Sequence, residues 1–383
     1  MRAIRKFVAP EFIFGDGAIE LLGQYAVNFG ASRVFVVTDQ GIRKTGLLDR
    51  VDHTLRQAGM EPVVYDMVSV NPRAEEVMDG AEAYRQSGCD VIVAVGGGSP
   101  MDCAKGISIV SANNRYILDF AGVDKVESPG PPLICIPTTA GSSADVSQFA
   151  IINNPGERNK IAIVSKMVVP DVALIDPGAT LSMDRYLTIC TGIDALVHAV
   201  EAFVSTAASA ITDLHAFEAI RLIRTYLPLV LAHLDDMELR EQVMLASLEA
   251  GLAFSNASLG AVHAMAHSLG GLLDLPHGEC NALLLDHVMA FNYHEAPAKY
   301  DRIGVVFGAR LDGLPADARG RAIVQAIRDF KQELGFIPGL SSRGVQRTDI
   351  ALLAQKAIAD PCMVTNPRRP QLNDIMAIYE ESY

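Results

Sequence analysis

The 383-residue sequence predicts two unlike halves. The first is an α/β domain on a doubly wound, mainly parallel sheet, and the second is an all-α domain. Three observations carry this reading. Up to about residue 183, short apolar runs alternate with helical patterns, as strands joined by crossover helices do. One of those runs leads straight into a glycine turn, GGGS at 96–99. From about Tyr186, long Ala/Leu/Met-rich helical patterns take over and strand signals fade.

The elements follow in order. Val34–Val37 reads as a buried strand, followed by Thr38 and Asp39, and Gly46–Ala58 as a helix. Pro62–Tyr65 is a second strand and Ala74–Ser87 a second helix. Val91–Val95 is a third strand, ending in the glycine turn, and Pro100 suits the first position of a helix that should run to about Ala112. After the Pro-rich loop at 129–132, Leu133–Ile136 is another strand. Runs near 148–152, 161–164 and 172–175 read as further strands, two of them suited to a hairpin. The boundary falls near Met183–Arg185, giving domains 1–184 and 185–383.

Composition narrows the class. The chain is 50% hydrophobic and 20% charged, ordinary for a globular protein with a sizeable core. Its net charge of −13 and the lack of a basic run argue against nucleic acid as a partner. Cys89, Cys103, Cys135, Cys190, Cys280 and Cys362 are scattered, with no C-x-x-C, which suits reduced thiols and a cytoplasmic location. Glu11 and Asp16 interrupt any signal-peptide core. No run of roughly 18 apolar residues occurs, so no membrane span is expected.

Chemistry concentrates between Asp194 and His277. Asp194 and His198 are four apart among good helix formers, so both side chains share one helix face. His263 and His267 repeat that spacing, and His277 lies between Pro276 and Gly278, at a turn opening another helix. A single Asp/His pair also suits a capped or surface helix. Two pairs inside apolar, Ala/Gly-rich runs are costly to bury without a partner. A set of Asp194, His198, His263 and His277 has one carboxylate, three imidazoles and no thiolate. Such a set suits Fe(II), Zn, Mn, Co or Ni.

The glycine turn offers a second site. A strand, a glycine turn and a helix start make an anion cradle, because the backbone comes close and free N–H groups meet the helix dipole. A tight strand–helix turn with no ligand has the same residues, since GGGS is not G-x-G-x-x-G.

These patterns together resemble one family. D-x3-H at 194–198, HAMAH at 263–267, LPHG at 275–278, GGGSPMDCAKG at 96–106 and PTTAG at 137–141 stand in the order of the iron-containing (group III) alcohol dehydrogenases. The resemblance extends from the VTD ending at Asp39 to the TNP near residue 366, and is strongest to bacterial NAD-dependent ethanol, methanol and 1,3-propanediol dehydrogenases. It implies a dinucleotide-binding first domain and a metal-binding second domain of the dehydroquinate synthase-like type. It also implies NAD and Fe(II) as cofactors, with the Asp194 set as metal ligands.

By motif, Gly97, Gly98 and Ser99 take the pyrophosphate, with Asp102 beside them, and Thr138 and Thr139 line the cofactor cleft. Asp39 takes the position near the adenosine ribose, where a carboxylate favours NAD over NADP. Asn71, Phe149 and Lys160 match cofactor-side positions, and Thr180 and Leu181 adenine-side ones. His267 is read as a proton relay or cofactor contact. Ile151, Phe254, Leu259, Ala261 and Cys362 are pocket-wall candidates. Two departures touch the loops: Asp145 stands where the family has Glu, and Met101 replaces a frequent His or Ile.

The implied reaction oxidises a primary alcohol to an aldehyde, or the reverse. The ion acts as Lewis acid and the nicotinamide takes the hydride. Polyol or lactaldehyde dehydrogenation and a dehydrogenase-like regulatory protein are the alternatives. A carbon–oxygen lyase of the wider superfamily would need basic residues for a phosphorylated substrate, and Asp194–His277 supplies few suited to that. The family resemblance also implies a homo-oligomer, a dimer or larger.

Overall fold

The computed structural model describes residues 5–157, 159–336 and 339–383. These form two compact units, Val8–Met183 and Asp184–Tyr383, the second also taking the described residues 5–7.

The first unit carries strands β1 (Glu11–Phe14), β2 (Arg33–Val37), β3 (Glu61–Tyr65), β4 (Val91–Gly96), β5 (Gly122–Val123), β6 (Leu133–Pro137), β7 (Phe149–Asn154), β8 (Asn159–Val164) and β9 (Val172–Ile175). Helices α1 (Leu22–Asn28), α2 (Gln40–Arg43), α3 (Leu47–Gln57), α4 (Ala74–Ser87) and α5 (Gly98–Asn113) connect them. Six strands form one parallel sheet in the order β1-β9-β6-β4-β2-β3. Alternate residues feed different cores: Val34, Val36, Val91, Val93 and Val95 face one apolar cluster, and Phe35, Val37, Ile92 and Ala94 the other. A sheet covered on both faces needs continuous apolar strands, hence the unbroken run of β4. The predicted hairpin is β7 with β8, antiparallel, and β5 pairs with β8. The sequence did not announce β1 or β5; β1 is short, half exposed and at the sheet edge.

Helix α5 starts at Gly98, two residues before its predicted start. Pro100 sits in the first turn, where its missing N–H is one of the donors left over in any case. Gly96 has φ 154°, and a Cβ there would meet the Pro100 ring at 2.5 Å, so only glycine fits the turn.

The second unit is helical: α6 (Arg185–Val204), α7 (Ala210–Ala232), α8 (Met237–Ala257), α9 (Ala261–Leu273), α10 (His277–Asn292), α11 (Pro297–Val306), α12 (Ala316–Glu333), α13 (Ile350–Ala359) and α14 (Leu372–Glu381). Side-chain caps start the first three, from Asp184, Ser209 and Asp236. Helix α6 packs against α7, α8 and α10 and is buried on nearly all sides. By length and a mean hydropathy of 1.5 it would pass as a membrane span, where the sequence reading expected none. It is instead a core helix, with 89% of that window buried within the protein.

Asp286 on α10 anchors α12 by accepting from Arg328 Nε at 2.6 Å and from Lys331 Nζ. Burial alone would raise the pKa of this carboxyl, but Lys331, His287 and Arg328 hold it below the ordinary value. Asp286→Asn is expected to destabilise the protein by about 2–3 kcal/mol at neutral pH, since the largely buried Lys331 loses its partner while the half-exposed Arg328 keeps some solvent. A depressed carboxyl pKa stabilises above the unfolded-state value and ceases to do so as pH falls through the folded one. The deficit in urea unfolding should therefore shrink below about pH 3.9.

Candidate metal centre and cofactor cradle

Helix α6 presents Asp194, His198 and Glu201 on one face, at i, i+4 and i+7. Helix α9 brings His263 and His267, and α10 opens on His277, as its flanking Pro276 and Gly278 indicated. Asp194 Oδ1 lies 3.9 Å from His198 Nε2, 3.8 Å from His263 Nε2 and 3.9 Å from His277 Nε2. An ion bonded at about 2.1 Å to each donor needs donor separations of about 3–4 Å, so the spacing fits. The His198 ring stacks on Phe254 at 4.2 Å and on His263 at 4.5 Å between centroids, which fixes both imidazoles. Asp194, His198 and His263 are buried, and His277 is the partly open member, with its side chain 27% exposed.

Asn281 gives a direct test of the donor set. Its amide nitrogen lies 2.6 Å from Asp194 Oδ1, 3.2 Å from His263 Nε2 and 3.4 Å from His277 Nε2. Three acceptors thus converge on one donor, the electrostatic focus that a cation would fill. The Oδ1 of the same amide is buried without a hydrogen-bond partner among the described residues.

Glu201 organises the surroundings. It accepts from His263 Nδ1 at 2.7 Å, so the proton sits on Nδ1 and the Nε2 lone pair faces Asp194. It also accepts from the backbone N–H of Gly260 at 3.0 Å, Val262 at 2.6 Å and His263 at 3.4 Å. Ala261 N–H goes to Asn366 Oδ1 at 3.1 Å. Two distant side chains therefore satisfy the start of α9, which has no side-chain cap of its own. Burial pushes the Glu201 carboxyl up to about 7 against the pull of those N–H groups. Burial, with His267 adding to it, drives the His263 pKa well below its ordinary value.

His267 lies one turn beyond His263, its ring stacked on His277 at 5.2 Å. Its Nδ1 is 2.9 Å from Asp360 Oδ2. Burial opposes ionisation of Asp360, but His267 and the groups at Cys362 hold its pKa below the usual range.

In the first unit, Gly97, Gly98 and Ser99 stand half-buried at the start of α5, which has no side-chain cap. A Cβ on Gly97 would come within 3.2 Å of Thr139, and one on Gly98 within 3.0 Å of Ser142, so the turn lies close against the PTTAG loop. The uncapped N–H groups fit a phosphate. The Ser99 hydroxyl donates to the Val70 carbonyl, leaving its backbone N–H for a ligand. Asp102 lies one turn further along α5. Asp39 caps α2, accepting from Ile42 N–H at 2.9 Å. Lys160 donates to Asn71 Oδ1 at 2.7 Å, and both are buried, as are Thr138 and Phe149. Thr180 is buried with its hydroxyl on the Pro177 carbonyl at 2.7 Å, while Leu181 is exposed. Lys105, fully buried, fastens α5 to β7 by donating to the Phe149 carbonyl at 2.6 Å and the Ser147 carbonyl at 3.0 Å. Burial pushes the pKa of Asp145 up to about 6. Among the pocket-wall candidates, Phe254, Leu259, Ala261 and Cys362 are buried in the second unit, and Ile151 is half-buried on β7 of the first.

Sequence pattern assigns no role to Glu201, Asn281, Asp360 or Asn366. Two of them carry a signal: Glu201 is a carboxylate at i+3 from His198 inside an apolar run, and Asn366 lies in the TNP motif.

Two family models divide the chain between them. Residues 9–177 match the model described as iron-containing alcohol dehydrogenase. Residues 188–383 match that described as the Fe-containing alcohol dehydrogenase family, C-terminal. The chain is 39% identical to a 1,3-propanediol dehydrogenase of Klebsiella pneumoniae, over 97% of this chain and 96% of that one. It is 35% identical to an NAD-dependent methanol dehydrogenase of Bacillus methanolicus, over 98% and 99%. A solved structure of 1,3-propanediol oxidoreductase superposes with a TM-score of 0.95 at 38% identity, covering 100% of both chains. Matched by family along both units and by relatives along nearly its whole length, the chain belongs to the iron-containing alcohol dehydrogenase family.

Proposed function

We propose that this protein is a metal-dependent, NAD-linked dehydrogenase that interconverts primary alcohols and aldehydes. The convergence of Asp194 Oδ1 and the His263 and His277 Nε2 atoms on one buried point, with His198 3.9 Å from the same carboxylate, carries the reading. Asp194, His198, His263 and His277 would hold Fe(II). When bound, the ion supplies Lewis acidity toward the alcohol oxygen, and NAD accepts the hydride.

The chain's own residues do the rest. Glu201 keeps the His263 proton on Nδ1. Asp360 holds the His267 proton on Nδ1 and leaves Nε2 to exchange one with the substrate side. Phe254 shields one face of His198 from water. The N–H groups of Gly98 and Ser99 bind pyrophosphate, and Asp39 accepts from a ribose hydroxyl. Asp102, Thr138, Thr139, Asn71, Phe149, Lys160, Thr180 and Leu181 support the cofactor, with the two buried threonines acting through loop shape. Ile151, Leu259, Ala261 and Cys362 bound the substrate. Six buried cysteines, with no disulfide among the described residues, support a reducing compartment. The homo-oligomer rests on family membership.

The test is anaerobic. Chelator-stripped protein receives Fe(II), Zn, Mn or Ni, and NADH formation is followed with ethanol, butanol, 1,2-propanediol and 1,3-propanediol. Fe(II) should restore turnover, and His277→Ala should not respond. NADH binding without turnover under any metal would refute the enzyme reading. Full metal dependence in the variant would refute the ligand set. Asp39→Asn keeps the α2 cap and removes the charge, so it should raise the kcat/KM ratio of NADP to NAD by about tenfold, the 1–2 kcal/mol of one lost repulsion. An unchanged ratio would remove Asp39 from the cofactor site.

A further inference from the structure

We propose that His267, Asp360 and Cys362 form a second divalent-ion site, of the thiolate-containing zinc or cadmium class, beside the Asp194 set. One nitrogen, one oxygen and one sulfur atom from these buried residues lie within 4.8 Å of one another. They come from α9 and from the turn after α13, and the turn is preset. Asp360 Oδ1 accepts from the Cys362 N–H at 2.8 Å and caps the short helix Pro361–Thr365, with proline at its first turn. The other oxygen of Asp360 lies 2.9 Å from His267 Nδ1, so a modest opening of one hydrogen bond admits an ion between all three donors.

The donor chemistry separates the two sites. Sulfur, imidazole and carboxylate together are a zinc set, and the soft thiolate discriminates for Zn or Cd. The Asp194 set has no sulfur and suits iron. Binding at the second site releases the thiol proton to solvent, and the His267 proton moves from Nδ1 to Nε2 as Nδ1 leaves Asp360 for the ion. With the His267 ring stacked on His277, zinc there acts on the first site without displacing its ion. That inhibitory effect rests on the relay role proposed for His267; the site itself does not.

The experiment adds cadmium, anaerobically, to the iron-loaded protein and reads sulfur-to-cadmium charge-transfer absorption together with both metals bound after desalting. The expected result is a band saturating at one cadmium per chain while iron stays bound. The band should be lost in Cys362→Ser, whose retained iron content reports an intact fold. It should survive in Cys190→Ser, which removes a thiol close enough to Asp194 to feel its charge. No band in the wild type, a band persisting in Cys362→Ser, or a band lost in Cys190→Ser would each overturn the proposal. Iron released without a sulfur band means that cadmium took only the first set, which also overturns it. Failure of iron to load refutes the first-site reading instead and leaves the sulfur band to be read.

Discussion

Gly278→Ala is expected to yield protein that no longer retains iron but still binds NADH. A Cβ at this position would lie 2.1 Å from the Cys190 carbonyl oxygen and 3.3 Å from Asp194 Cβ, both on α6. The obstacle is backbone, so rotamer changes cannot relieve it, and α10 must move away from α6. His277 is the preceding residue and would leave the focus it shares with Asp194. Overpacking of this kind costs about 1–3 kcal/mol or more. The loss of metal affinity should exceed the 10–100-fold typical of disturbing residues around a metal ligand. Iron content after desalting and NADH fluorescence titration read the two units separately. An alanine variant with full iron content would show that the approach of α10 to α6 does not set the site.

Glu201 should be nearly as sensitive, for a different reason. Removing its carboxylate in Glu201→Ala leaves the N–H groups of Gly260, Val262 and His263 and the His263 Nδ1–H without their acceptor, all buried. At about 1–3 kcal/mol for each buried orphan, the expected loss is at least 4 kcal/mol, enough to unfold the unit or leave it molten. Glu201→Gln retains one acceptor oxygen but sets an NH2 group against the remaining donors. It should fold and bind iron about 10–100-fold more weakly. Wild-type affinity in the glutamine variant would mean that His263 is oriented by packing against His198 alone.

These two residues also mark where the sequence stops being informative. Asp194 and His198 are visible because a helix folds an i, i+4 pair onto one face, and His263 because it repeats the spacing. The strands β2, β3, β4 and β6 are visible as apolar runs bounded by helical patterns. No periodicity encodes which distant group a side chain will meet. Glu201 reads as an ordinary helix former until α9 arrives beside it, and Asp360 is 93 positions from the histidine it orients. Asn281 has the spacing of a neutral helix residue, and nothing in a linear pattern marks its amide as sitting among three metal-type donors. Sheet order is hidden for the same reason: β1 is too short and too exposed to show alternation, and its partner is decided by the whole unit. Length and mean hydropathy alone do not tell helix α6 from a membrane span, because a core helix shares the same apolar excess; its burial against α7, α8 and α10 does.

The pairing of β1 with β9 has a consequence for synthesis. Glu11–Phe14 lie in register with Val172–Ile175, and β9 is what joins β1 to β6. β1 therefore waits, after its synthesis, for the last strand of its sheet. At 5–20 residues per second that interval is roughly ten to thirty seconds. Throughout it Phe12 has no neighbour from its own sheet, and from the synthesis of β6 onward the β6 edge is open as well, the state in which strands find the wrong partner. Closing so large a loop adds little to the equilibrium cost, because the entropy grows only with the logarithm of length. The burden falls on timing: a nascent chain stalled near residue 170 would carry an almost finished sheet with an unprotected seam, and chaperone demand should peak there rather than at the helical half.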